Sequence, residues 1–220
     1  MRLSRASSDL RAVRAGWLCL ALVITVASHA LPEWGAQATW PRLSPSWRAM
    51  GFQNFFWLWT LLFGLLLIAR SPARFGVRIG DIRRYGWRTL FVCAVPVILT
   101  AAVYPILPVQ PFRGAPIGIW LISPAAQELV FMGFLYTHLD RVFPGNIHPR
   151  VPVHRGLVIT AVFFMLWHVP NFASLDHGFV VFQLGYTFAA ALWAGLTRQW
   201  TGSLLYTLLT HMTTNFIAWL

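Results

Sequence analysis

Apolar and polar positions alternate along this chain on the scale of a lipid bilayer. Seven apolar runs of 17 to 20 residues are separated by stretches that hold almost all of the charge. The runs cover about Ala15 to Leu31, Gly51 to Ala69, Thr89 to Leu107, Ile117 to Tyr136, Gly156 to Phe172, Phe179 to Leu196 and Ser203 to Leu220. A helix rises about 1.5 Å per residue and a hydrocarbon core is about 30 Å thick, so each run has close to the length needed to cross it. The pattern therefore predicts an all-α fold, a polytopic transmembrane bundle of about seven spans. The 220 residues form a single integral membrane domain, with no room for a separate soluble one.

The intervening stretches carry their own signals. Pro32 to Met50 holds three tryptophans and three prolines and reads as an interfacial loop, with indoles at headgroup depth. His138 to Arg155 reads as a polar loop with Pro144-Gly145-Asn146 as its turn. The basic start Met1 to Arg14, the first run and the small-x-small site Ser28-His29-Ala30 also fit a cleaved signal peptide, although a retained first span is the favoured reading. The sixth run has a small-residue face, Gly185, Ala189, Ala190, Ala191, Ala194 and Gly195, that lets helix backbones approach closely.

Composition agrees with the pattern, since 57% of residues are hydrophobic and 10% charged. The net charge of +11 comes from arginine alone, and an arginine-only basic set fits a GC-rich bacterial source and an inner-membrane location. Its arginines are spread between spans rather than gathered in one domain, which argues against nucleic acid as a partner. They are also unevenly divided. With seven spans, fourteen of the seventeen lie on the side of the N-terminus, and only Arg42, Arg48 and Arg113 lie opposite. The positive-inside rule then places the N-terminus and the Arg70 to Arg88 connection in the cytoplasm and Leu220 outside. Cys19 and Cys93 each sit within an apolar run and read as small hydrophobes.

Against this background Glu128 stands out. The other acidic residues, Asp9, Glu33, Asp81, Asp140 and Asp176, fall in loops or termini, whereas Glu128 lies inside the fourth run. An ionisable side chain there costs several kcal/mol unless it faces a protein-lined or wet cavity, which makes a functional role the default. Three further polar groups lie at similar depth: His168 in the fifth run, and His211 with Asn215 in the seventh. From the arginine-rich ends of their spans, Glu128, His168 and His211 lie about 12, 18 and 12 Å in. His211 and Asn215, four apart, share one helix face. Pro170 frees the carbonyl of Leu166, which is tolerated at depth where a partner or water satisfies it. One buried histidine alone usually binds a backbone carbonyl; four polar groups converging from three helices point to a wet reactive pocket. The remaining histidines, His29, His138, His148, His154 and His177, read as surface or interfacial groups.

Those residues carry a resemblance. Pro124-x-x-Gln127-Glu128-Leu129-Val130-Phe131-Met132-Gly133, then Phe164-x-x-x-His168, then His211-x-x-x-Asn215, resembles the three motifs of the CPBP (CAAX-processing and bacteriocin-processing, or ABI) intramembrane proteases. The likeness covers a core of about residues 116 to 220. It implies a helical bundle with a glutamate-type protease site, in which Glu128 and His168 activate water while His211 and Asn215 hold the oxyanion. The implied substrate is a membrane-anchored peptide: a prenylated C-terminus, a leader or a C-terminal sorting anchor. No cofactor and no metal are implied.

Two positions depart from the family's usual Glu-Glu-x-x-x-Arg: the first glutamate is Gln127 and the arginine is Met132. Gln127 cannot accept a proton, so it is assigned to orienting water or substrate. Loss of the arginine is expected to leave Glu128 unpaired. The rival readings are a catalytically inactive membrane scaffold or immunity protein, a zinc protease, for which no helix carries two histidines four apart, and a proton-coupled carrier.

Overall fold

The computed structural model describes residues 2–39, 58–80, 82–106, 121–173 and 175–220. The described residues form a bundle of seven helical segments. They are α1 (Arg2–Thr39), α2 (Leu58–Ile68), α3 (Ile82–Val103), α4, α5 (Arg155–Leu166), α6 (His177–Thr201) and α7 (Leu204–Trp219). Here α4 denotes three helical stretches that follow without a break: Ser123–Gln127, a π-helical Glu128–Leu135, and Tyr136–Val142. A two-stranded antiparallel ribbon, β1 (Asn146–His148) and β2 (Val151–His154), links α4 to α5.

The bundle is apolar on its outside. Leu22, Val23, Leu66, Leu90, Ile98 and Val181 are exposed, a distribution that only a lipid solvent makes favourable. Among the described residues four stretches are long and apolar enough to span a membrane: Leu10–His29, Gly86–Ile106, Arg155–Ala173 and His177–Thr201. The protein is an integral membrane helix bundle. Of the expected seventh span, the 16 residues of α7 reach only about 24 Å, and the first part of the second and fourth lies outside the described residues, as does the loop holding Arg113.

Several expectations about the connections are corrected. Helix α1 runs on to Thr39, so the interfacial loop does not begin at Pro32, and Trp40 to Met50 lie outside the described residues. Helix α4 continues to Val142, so His138 is helical and not in a loop. Its ring stacks on Trp17 at 4.6 Å and lies 5.4 Å from Phe75, where aromatic packing pins α1 and the 70–80 connection onto α4. The reversal in the ribbon falls at Pro149-Arg150, and Gly145, with φ 87°, precedes the first strand.

Helix irregularities have local causes. Gly86, at φ 37° and ψ −114°, breaks α3 near its start. Pro96 has no N–H for the carbonyl of Val92, four residues back, and the indole N–H of Trp193 on α6 donates to that oxygen instead. A buried backbone acceptor is thus satisfied by a neighbouring helix.

The core lies where α4 meets α5 and α7. Val130, Phe131, Met132, Leu135 and Leu139 pack against Leu157, Ala161, Phe164, Trp167 and Leu204. Close approach is achieved at two glycines. A Cβ on Gly156 would sit 2.4 Å from the Asp140 backbone, and one on Gly195 would sit 1.8 Å from Leu157 Cδ1. Of the small-residue face of α6, Gly195 and Ala191 are buried against α5, while Gly185 faces open space.

Candidate active site

Glu128 opens the π-helical stretch of α4 and is 3% exposed. A π segment adds a residue to each turn and so changes the direction in which the flanking side chains point; such segments recur at functional sites. Here Glu128 points toward α7. His211 Nδ1–H donates to Glu128 Oε1 at 3.0 Å. The expectation of an unpaired Glu128 is therefore corrected: an imidazole from another helix, rather than an arginine on its own, is its partner. The second oxygen differs. Oε2 is sealed from solvent and has no hydrogen-bond partner among the described residues. A buried carboxylate oxygen in that state is expensive, and a small polar ligand such as water offsets the cost.

His168 lies just past the end of α5, where the helix tightens. Its N–H bonds Met165 O at 3.0 Å, three residues back, and its carbonyl accepts from Asn171 N–H at 3.1 Å. The ring donates from Nδ1 to Phe164 O at 2.9 Å, which leaves Nε2 with its lone pair for chemistry. Phe164 joins the histidines physically, its ring centroid lying 5.2 Å from that of His168 and 6.3 Å from that of His211. Phe131 closes on Phe164 edge to face at 5.2 Å, which excludes bulk water from this side.

Asn215 lies one turn beyond His211 on α7 and is partly buried. Gln127 is buried, and its amide nitrogen donates to Ser123 Oγ at 2.9 Å on the same helix. Its partner is thus a neighbour on α4. Met132 is fully buried in the apolar core. Among the described residues no three His, Cys, Asp or Glu side chains form a group able to hold a metal.

Residues 110–217 match the family model described as type II CAAX prenyl endopeptidase Rce1-like. Through that segment the chain is similar to this family of CPBP proteases. The match takes in α4, α5, α6 and most of α7, and so Gln127, Glu128, His168, His211 and Asn215. The CPBP members are intramembrane proteases, and the Rce1-like match supports a function of that kind here. No match was found among curated proteins or among solved structures.

Helix α1, outside the matched segment, also reaches the neighbourhood of His168. Trp167, next to His168, donates its indole N–H to Ser28 Oγ at 3.0 Å, and the Ser28 carbonyl accepts from Thr60 Oγ1 at 3.0 Å. His29 lies edge-on to Trp167 at 5.1 Å and is therefore not simply a surface group. The sequence signal for this was the polar triplet Thr25, Ser28 and His29 on one face of an apolar helix, read instead as the small residues of a cleavage site. The first span is packed into the bundle through Ala21, Ile24, Thr25 and Ser28.

Proposed function

We propose that the protein is an intramembrane endopeptidase that hydrolyses a peptide bond near the end of a membrane-anchored substrate, with Glu128 as general base. The observation that carries the reading is the asymmetric carboxylate, one oxygen held by His211 and the other buried without a partner. A water bound at Oε2 and at His168 Nε2 loses a proton to Glu128 as it attacks the scissile carbonyl carbon. In an Glu128–His211 ion pair the imidazolium offers Nε2–H to the developing oxyanion, and the Asn215 amide supplies a second donor. Collapse of the tetrahedral intermediate breaks the C–N bond, and the proton on Glu128 passes to the departing amine. Gln127, tied to Ser123, holds the start of the π segment and orients the water or substrate.

The orientation proposed is N-terminus inside and Leu220 outside, in a bacterial inner membrane, which rests on the fourteen-to-three arginine division. Gln127 and Met132 favour a second reading, a catalytically inactive scaffold, because both depart from the motif. The deciding experiment compares a deletion strain complemented with parent or with Glu128→Gln. Under the protease reading one membrane-anchored protein changes size on deletion and only the parent restores it. Full biological function in Glu128→Gln sinks that reading and leaves the scaffold.

A further inference from the structure

Arg198, near the end of α6, is 8% exposed, and among the described residues its Nε has no hydrogen-bond partner and no carboxylate pairs with it. A buried unpaired guanidinium is as costly as a buried unpaired carboxylate, and peptide hydrolysis at Glu128 makes no use of it. The surroundings are shaped around it. Gly76, at φ 92°, lies so close that a Cβ there would fall 2.4 Å from Arg198 Cζ, so the guanidinium rests flat on bare backbone. Gly202, at φ 69°, donates its N–H to Arg198 O at 2.9 Å and is covered in turn by Arg78. Arg78 is held there by donating from Nε to Gly202 O at 3.0 Å. Both glycines have left-handed backbones, so no other residue fits either place without strain.

The third wall is Tyr136, within electrostatic reach of Arg198. His154 Nδ1–H donates to Asp140 Oδ1 at 2.8 Å, and that committed proton leaves the Tyr136 hydroxyl, 3.4 Å from the same nitrogen, free to donate elsewhere. Asp140 is thereby engaged by His154 and is not a counter-ion to Arg198. Arg78 and Tyr136 both lie within electrostatic reach of the Arg198 guanidinium, at the arginine-rich end of the bundle. All are donors, in the fork geometry that matches phosphate oxygens.

We infer that Arg198, Arg78 and Tyr136 form a phosphate-binding pocket between α4, α6 and the 70–80 connection, whose ligand is the headgroup phosphate of an acidic phospholipid or a free phosphate. A basic pocket between spans at headgroup depth has the chemistry that selects acidic lipids. The bound phosphate supplies the missing counter-charge and locks the 70–80 connection onto the α6–α7 turn, where Leu204 N–H already donates to Gly76 O at 2.8 Å.

The test uses the full chain, delipidated in detergent and returned to nanodiscs of phosphatidylcholine with or without phosphatidylglycerol. Native mass spectrometry reads bound lipid and thermal unfolding reads stability; neither depends on proteolysis, so the result stands apart from the protease assignment. The expected outcome is retained phosphatidylglycerol and a higher Tm in the acidic nanodiscs, with affinity about tenfold or more weaker in Arg198→Met and in Arg78→Gln. If inorganic phosphate in phosphatidylcholine nanodiscs gives the same variant-sensitive stabilisation and phosphatidylglycerol does not, the pocket stands with free phosphate as its ligand. Should Arg198→Met fail to fold, Arg198→Lys, which keeps the charge and loses the fork, is expected to bind more weakly than the parent. Equal binding by parent, Arg78→Gln and the folded Arg198 variant, or no binding of either probe, overturns the proposal.

Discussion

His211 on α7 donates from Nδ1 to Oε1 of Glu128 on α4 at 3.0 Å, and the other oxygen of that carboxylate is buried with no hydrogen-bond partner among the described residues. A carboxylate divided in this way has one oxygen committed to position and one available for reaction. The division assigns different consequences to substitutions at the two ends of the hydrogen bond.

Glu128→Gln keeps the shape of the side chain and its bond to His211 but removes the base. Loss of a general base typically slows a reaction by about 10²- to 10⁴-fold. We expect cleavage of a membrane-tethered reporter to fall by at least that factor, while Gln127→Ala only weakens it and Gln127→Glu retains or raises it. Wild-type cleavage by Glu128→Gln is the contrary result.

Asn215→Ala removes one donor to the oxyanion, an interaction that develops in the transition state. Turnover should drop by about 10²- to 10³-fold, with thermal unfolding of the bundle close to that of the parent. An unchanged rate would remove Asn215 from the site.

Gly156 and Gly195 both lie at tight helix contacts, but what a methyl group would strike differs. At Gly156 it meets the Asp140 backbone, at 2.4 Å, which cannot yield without moving α4. At Gly195 it meets the tip of Leu157, a side chain that can change rotamer. Overpacking costs about 1 to 3 kcal/mol, so Gly156→Ala should lower the unfolding temperature more than Gly195→Ala does. The reverse order in a thermal-shift comparison would count against the packing described here.

Ser28→Ala leaves the buried indole N–H of Trp167 without its acceptor. The expected cost is about 1 kcal/mol, and because Trp167 adjoins His168 the cleavage rate should fall as well. Ser28→Thr, which keeps the hydroxyl, should preserve more of both. Equal stability and rate in parent and Ser28→Ala would show that α1 does not support the pocket.

The proposed orientation places the arginine-rich connection 70–88 in the cytoplasm. A reporter active only in the cytoplasm, fused after Leu220, should be silent there and active when inserted in that connection. Activity at the C-terminal fusion would invert the topology.

The membrane class and the motif-bearing segment were legible without coordinates, and the candidate polar residues could be named, because each is a local property. An apolar run long enough to span a bilayer shows in composition, and Glu128, His168, His211 and Asn215 are conspicuous for lying inside such runs. Which groups meet depends instead on the rotation of each helix about its axis and on contacts distant in sequence. The π segment starting at Glu128 and the approach of α7 decided that His211, 83 residues away, is the partner of that carboxylate. Likewise, the packing of α6 on α3 gave the Val92 carbonyl freed by Pro96 an indole to bond. The docking of α1 brought Ser28 to Trp167 across 139 residues, and the close approach of Gly76 covered Arg198, whose Nε has no hydrogen-bond partner among the described residues. Hydrophobicity selects the residues that enter the membrane; the faces they share are set by packing between helices, which no single stretch of sequence encodes.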